Sequence, residues 1–393
     1  MQVNLFSRPL QPLNVQQQND EAHNISLEKN LKTLDKAQAE LSKIDKQIAS
    51  LNKQPASVET LAMLAAHQRQ VVLAMLAGNP EMAIAALLAQ GIEGYGDQLA
   101  NIQAWTNGGA AMFDAAMSEM FDSLVASGSN NGYTLEDLFQ LAVMDFMSHG
   151  YPSTSAMDLT MGHFLESTGS GSHGYHEGWK GDTFADACGA LFDHMLSKAP
   201  NGSLCHDILI YMNSQCGGKN ALANQLRNNY DKNGGFVCNS DTYPSGSGLS
   251  PMLRFAIMSG YLAANPDVDQ ATIEMFLTMP IEDLNSLISN TTDYTSAMDF
   301  LFDNDGYSGS DYAGELGWRP VSQGGHLVID WNGDGLSLPY FENLYANFPA
   351  RELTKEELKE VNRIGDQIQM LQETLKYWLS IMRDEQLAAA RNI

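Results

Sequence analysis

The sequence predicts a mainly α-helical protein: a coiled-coil stalk made by the N- and C-terminal helices, with an inserted, internally duplicated and mostly helical central domain. Three observations lead to this prediction. Each end of the chain carries apolar residues at heptad spacing, short segments recur in the same order through the middle, and the net charge of −25 falls on that middle part. A short helix gains little stability alone, so each amphipathic end needs a partner for its apolar face.

The first 110 residues divide into three predicted segments. Residues 1–25 are rich in Gln and Asn without hydrophobic periodicity, which is typical of disorder. Residues 26–54 carry a heptad seam that stops before Pro55, so they are predicted to form the first stalk helix. Residues 57–110 begin with an alanine- and methionine-rich stretch and predict a helical hairpin, one helix of which ends at Gly91.

Three short segments in the middle of the chain occur twice in the same order. The pairs are Leu135–Leu138 with Ile281–Leu284, Thr154–Asp158 with Thr295–Asp299, and Glu177–Lys180 with Glu315–Arg319. Matches that recur at a nearly fixed offset indicate duplication of one structural unit. We therefore predict two copies of a central unit, at residues 111–200 and 252–345, joined by a cysteine-containing connection at 201–251.

The four cysteines, Cys188, Cys205, Cys216 and Cys238, lie within about fifty residues of one another. If the protein works outside the cytosol, they can form two disulfides in any of three pairings. Free buried thiols are the alternative, and the sequence does not choose between the two. The absence of a CxxC motif argues against a redox site or a zinc knuckle.

The charge distribution narrows the classes of partner. Residues 80–345 hold 7 Lys and Arg against 32 Asp and Glu, whereas the two ends are balanced. Such a surface repels nucleic acid and anionic membranes, which bind clusters of Lys and Arg. No window has the run of apolar residues that a membrane span needs, so no direct span is predicted. The first twenty residues also lack the features of a secretory signal, so any export would use another route.

A short acidic turn near the end of the second copy predicts a metal site. Asp330, Asn332 and Asp334 are followed by Gly335, as in the first half of a calcium-binding loop. The twelfth position of that loop is occupied by Phe341, and a carboxylate comes one residue later, at Glu342. The predicted ligands of a structural calcium ion are therefore Asp330, Asn332, Asp334 and Glu342. An ordinary Asx–Gly turn is the alternative.

No catalytic signature is present. The sequence lacks HExxH, GxSxG and phosphate-loop motifs, so no enzyme class is predicted. His163 and Glu166 would share one face of a helix, and Cys188 or Cys205 could in principle pair with a histidine as a nucleophile. Ordinary structural roles for these residues are the preferred interpretation.

The C-terminal segment, residues 354–393, predicts the second stalk helix. Thr354 and Glu357 match a capping box, which marks the start of a helix. The heptad seam that follows consists of Val361, Ile364, Ile368, Leu371, Leu375, Trp378 and Met382. Because a seam of this kind packs against a second helix, these seven residues are predicted to form an assembly interface.

This layout resembles that of the hydrophilic translocator, or needle-tip, proteins of bacterial type III secretion systems, which serve virulence. The resemblance implies a protein that is secreted or lies on the bacterial cell surface without a cleavable signal peptide. It also implies self-association and contacts with other secretion-apparatus or translocator proteins, through a C-terminal segment that corresponds to Leu358–Met382. The alternatives are a secreted effector, or a calcium-stabilised binding protein, with its activity in the acidic central domain.

Overall fold

The structure is a computed structural model, and it describes residues 83–129, 132–170, 179–230, 248–304, 317–323 and 326–391. The chain divides into two compact units, one of which is Asn101–Glu360. The other combines Met1–Ala100 with Val361–Ile393. The predicted disordered segment and the first stalk helix, residues 26–54, lie outside the described residues. The pairing of the two chain ends therefore stays a prediction.

The described residues are mainly helical, which confirms that the protein belongs to the mainly α class. The helices are α1 (Ala83–Asn107), α2 (Gly109–Ser127), α3 (Gly132–Ser148), α4 (Ser155–Ser167), α5 (Gly181–Lys198), α6 (Leu204–Gln215), α7 (Gly218–Asn229), α8 (Pro251–Ala264), α9 (Gln270–Thr278), α10 (Ile281–Thr291), α11 (Ala297–Asn304), α12 (Leu338–Ala346) and α13 (Lys355–Arg391). Two strands, β1 (Trp318–Gln323) and β2 (His326–Trp331), form an antiparallel hairpin between α11 and α12. No helix in the described ranges is both long and apolar enough to cross a membrane.

Helix α3 lies at the centre of the unit formed by residues 101–360. All side chains from 134 to 147 are buried, which is typical of a helix surrounded by others. It packs against α2, α4, α6, α7, α8 and α12. The aromatic ring of Phe139 meets that of Phe164 in α4 edge-on, with ring centroids 4.9 Å apart. Acidic residues of α3 are consequently buried together with its apolar ones.

Helix α1 is longer than the sequence predicted. The expected end at Gly91 is wrong, because the helix continues to Asn107. Ile92 and Leu99 are fully buried, and such burial outweighs the cost of about 1 kcal/mol for a glycine inside a helix. A Cβ atom added to Gly91 would lie 3.6 Å from Leu371 Cδ1, so α1 and α13 pack closely at this point.

The predicted connection at residues 201–251 contains two helices. Residues 204–215 and 218–229 form α6 and α7, and most of their apolar side chains join the core. Cys188 and Cys205 are buried free thiols and Cys216 is also buried, while Cys238 lies outside the described residues. Burial raises the pKa of the Cys188 and Cys205 thiols, which makes them poor nucleophiles.

The repeated segments have similar secondary structure in two of the three pairs. The first two pairs lie in or at the start of helices, α3 and α4 in one copy and α10 and α11 in the other. The third pair differs, because Trp179 precedes helix α5 whereas Trp318 begins strand β1. Trp318 is 1% exposed and Trp179 is half-buried. The internal duplication therefore stays a prediction.

Candidate functional site

The capping box at the start of α13 has the predicted geometry. The Thr354 main-chain N–H donates to Glu357 Oε2 at 2.9 Å, and the Glu357 N–H donates to Thr354 Oγ1 at 3.3 Å. Arg351 also donates to both oxygens of Glu357, at 2.8 and 2.9 Å. Burial raises the pKa of Glu357, but the hydrogen bonds from Arg351 and Thr354 outweigh it and leave the pKa below its usual value. The beginning of the helix is thus firmly fixed.

The predicted seam of α13 is largely buried within the single chain. Val361, Ile364, Ile368 and Leu375 are 0–3% exposed, and Leu371 and Trp378 are half-buried. The side chain of Met382 lies outside what the structure describes. Because these residues already pack inside one chain, the seam contributes to the stability of that chain.

A second apolar stripe lies on the other side of the same helix. Met370, Tyr377 and Ile381 are 59%, 68% and 37% exposed. With about 100° of rotation per residue, the three fall within a sector of about 40°, roughly 150° from the centre of the buried seam. We call these three residues the outer stripe. Exposed apolar side chains grouped on one face are typical of interaction surfaces.

The predicted calcium ligands divide into two groups. Asp330 is fully buried, and its Oδ2 accepts a hydrogen bond from Arg319 Nη2 at 3.2 Å. Asn332 Oδ1 accepts from Nη1 of the same arginine at 2.5 Å. Asp334 and Glu342 are exposed. The guanidinium of Arg319 therefore lies where the sequence pattern predicted a cation.

The turn between β2 and α12 lies against α4 at a glycine. Gly335 has a φ of +87°, and a Cβ atom there would lie 2.9 Å from the His163 main-chain nitrogen. Within the described ranges no group of three or more His, Cys, Asp or Glu side chains is placed to hold a metal ion. Calcium binding stays a prediction from the sequence.

A buried acidic pair, Glu136 and Asp137, lies in α3. It contacts the residues that directly follow α4. Glu136 Oε2 accepts the Gly169 main-chain N–H at 2.8 Å, and Asp137 Oδ1 accepts that of Ser170 at 2.7 Å. Glu136 Oε1 also accepts from Gln225 Nε2 at 3.2 Å. These donors replace water for two carboxylates that are only 0% and 5% exposed.

Asp137 holds its proton more tightly than an ordinary aspartic acid. Its pKa is raised to about 7, mainly by burial; the hydrogen bonds from Ser170 lower it, and the charge of Glu136 contributes to the increase. The charge of Arg254 acts in the opposite direction. Burial lowers the pKa of Arg254 to about 10.

Arg254 is itself occupied by main-chain oxygens. It donates to the carbonyls of Leu249, Phe276 and Met279 at 2.6–2.9 Å. Phe276 and Met279 lie at the C-terminal end of α9, so this side chain closes that helix end and ties it to α8. Arg254 therefore stabilises the fold around the acidic pair.

His163 and Glu166 lie on one face of α4, as their spacing predicted. His163 Nδ1 is 2.7 Å from Glu166 Oε1, and both side chains are at least 97% buried. The ring of His163 also packs against Trp179, with centroids 5.0 Å apart. The sequence identified this pair, but it gave no sign that Glu136 and Asp137 are buried nearby in the same unit.

Comparison of the chain with protein-family models, with curated proteins and with solved structures gives no match. The function must therefore be inferred from the fold and its surfaces. Among these surfaces the C-terminal helix is the one that combines an element held firmly at its start with apolar side chains exposed along one face.

Proposed function

We propose that this chain is an assembly protein of a bacterial type III secretion apparatus, of the hydrophilic translocator or tip class. It would be exported without a cleaved signal and act by oligomerisation through its terminal helices, with other apparatus proteins as further partners. The observation that carries the proposal is the two-sided character of α13. Its seam is buried while Met370 and Tyr377 stay more than half exposed.

The two sides of α13 have different roles in this proposal. The seam, represented by Ile364 and Ile368, holds the helix within its own chain, where residues 26–54 are its proposed coiled-coil partner. The outer stripe is the surface offered to other chains. An exposed apolar stripe costs solubility, so its presence on α13 favours a binding role.

The charge distribution supports association through the helix rather than through the central region. Residues 354–393 hold six Lys and Arg against seven Asp and Glu, whereas residues 80–345 account for the whole net charge. Acidic regions of neighbouring copies repel one another, and a nearly neutral helix does not. In this proposal the internally duplicated, acidic domain faces outward and keeps the assembly soluble.

Replacing two residues of the outer stripe tests the proposal. The double variant Met370→Lys/Tyr377→Lys should lose self-association, measured as weight-average mass by sedimentation. The reason is that two apolar side chains of the proposed interface between chains would be replaced by charged ones. Its thermal midpoint should stay unchanged, since neither side chain belongs to the core. Gln369→Lys is the matched control, because Gln369 is exposed and points about 100° away from Met370. If the double variant associates like the wild type, the proposal is wrong.

Export is tested separately, in cells that carry a type III apparatus. Deleting residues 1–25 should abolish release of the full chain into the medium while leaving its amount inside the cells unchanged. The control is the Met370→Lys/Tyr377→Lys variant, which should still be exported because its first 25 residues are intact. Release that does not depend on residues 1–25 would contradict an exported apparatus component.

The alternative is an effector or calcium-stabilised binding protein that acts through its central domain. The observation that favours it is the group of buried ionisable side chains, Glu136, Asp137, His163 and Glu166, because such groups are enriched at functional sites. Under this alternative the outer stripe has no role. The Met370→Lys/Tyr377→Lys variant would then keep full function in cells.

A further inference from the structure

We propose that two copies of this chain pair antiparallel along the outer stripe of α13, about a two-fold axis that passes near Glu373 and Thr374. This inference rests on the proposed function and deepens it, because it names the partner as a second copy and fixes the direction of the pairing. It follows from the order of charged and apolar residues on the exposed side of the helix.

Four exposed residues of α13 follow one another at intervals of seven. They are Arg363, Met370, Tyr377 and Asp384, all of them exposed. Positions seven residues apart drift by only about 20° around a helix, so the four form one nearly straight row. The row begins with a positive charge, continues with two apolar side chains, and ends with a negative charge.

This row is complementary to itself only when the second copy runs in the opposite direction. In antiparallel pairing Arg363 faces Asp384 of the second copy, and Met370 faces Tyr377 of the second copy. The two-fold axis repeats both contacts, as an isologous interface requires. In parallel pairing, Arg363 would instead face Arg363 and Asp384 would face Asp384, and like charges in contact destabilise an interface.

The size of the row sets the expected strength of the pair. From Arg363 to Asp384 the row is about 32 Å long, at about 1.5 Å per residue. A single helix-to-helix contact of this length buries less surface than a standard stable complex, so we expect a weak dimer that depends on concentration. Ile381 lies beside the row and extends its apolar part.

Charge reversal at the two ends provides the first test. Arg363→Glu or Asp384→Arg alone converts both end contacts of the dimer into like-charge contacts. Each single variant should therefore weaken dimerisation roughly tenfold, measured by sedimentation velocity over a concentration series. Gln369→Lys, which changes charge away from the row, should leave the dimerisation constant unchanged.

Mixing the two single variants is the sharper measurement. In the mixed pair Glu at 363 faces Arg at 384 on one side, and Asp384 faces Arg363 on the other, so both contacts are attractive again. An equimolar mixture should dimerise as strongly as the wild type, although each variant alone does not. The double variant Arg363→Glu/Asp384→Arg should also recover wild-type dimerisation. Failure of both to recover would overturn the inference.

Direction is measured with a nitroxide label at the exposed position Ala388, introduced as Ala388→Cys in a Cys238→Ser background. The other three cysteines are buried, so labelling is confined to the new one. Antiparallel pairing separates the two labels by about 45 Å along the helix axis. Parallel pairing would bring them within about 10 Å. A short distance between the two labels, measured by double electron–electron resonance, would contradict the antiparallel arrangement.

The results separate this inference from the function on which it rests. If Met370→Lys/Tyr377→Lys abolishes association but charge reversal has no effect, the outer stripe binds in another geometry and only the antiparallel pair is wrong. If the wild type dimerises and neither set of variants matters, both are wrong. A wild type that stays monomeric at every concentration also overturns both.

Discussion

The segments Leu135–Leu138 and Ile281–Leu284 share the pattern apolar–Glu–Asp–apolar, but their acidic residues lie in opposite environments. The apolar residues of both are buried, at 0–5% exposure. Glu136 and Asp137 are also buried, whereas Glu282 and Asp283 are exposed. The same four residue types therefore produce a buried charged pair in one place and a solvated pair in the other.

Position within the helix explains the difference. Helix α10 begins at Ile281, so Glu282 and Asp283 lie in its first turn, where free N–H groups and the helix dipole favour acidic residues at the surface. Helix α3 begins at Gly132, and its acidic pair is already inside a fully surrounded helix. The main-chain N–H groups after α4 then replace water as donors. Burial of a carboxylate here depends on partners more than thirty residues away.

The largest expected effect that tests this comparison concerns Asp137. Its folded pKa of about 7 lies above the ordinary value of 3.8, so the folded chain binds more protons than the unfolded chain between pH 4 and 7. Its contribution to stability is therefore lost as pH rises through that window. Asp137→Asn resembles the protonated acid and should remove this loss, which is about 3–4 kcal/mol.

Urea unfolding at several pH values from 4 to 8 measures the prediction for Asp137. The variant should be more stable than the wild type at pH 8 and about equally stable at pH 4. Asp283→Asn is the control, because Asp283 is exposed and should leave the pH dependence unchanged. Equal slopes for Asp137→Asn and the wild type would show that Asp137 is ionised at little cost.

A smaller effect is expected from truncating the first acid of each segment. Glu136→Ala leaves the Gly169 N–H and the Gln225 amide without their acceptor inside the fold, so it should destabilise by about 2–3 kcal/mol. Glu282→Ala should change stability by no more than about 0.5 kcal/mol, since Glu282 is exposed. Chemical unfolding at pH 7 measures both. Similar losses for the two variants would contradict the contrast between the two environments.

Local signals were enough for some features. The capping box of Thr354 and Glu357 and the shared face of His163 and Glu166 both follow from neighbours within four residues. Such interactions depend on short-range geometry, which the sequence contains directly. The helical class likewise followed from periodicity.

Other features depended on distant partners and were not predictable in the same way. Strand pairing places Arg319 opposite Asp330, so that this arginine contacts two of the four predicted calcium ligands. Burial of Ile92 and Leu99 stabilises α1 beyond Gly91. Met370 and Tyr377 of the outer stripe are seven residues apart, but the longer seam on the other face dominates the apolar pattern of this helix. Only the burial of that seam shows which face stays exposed.

The claim on which the functional proposal depends is that the full chain self-associates. Sedimentation velocity of the wild-type chain over a concentration series tests it most directly. The weight-average mass should rise with concentration from that of a 43.0 kDa monomer toward that of a dimer. A mass that stays at the monomer value over the whole series would contradict the account.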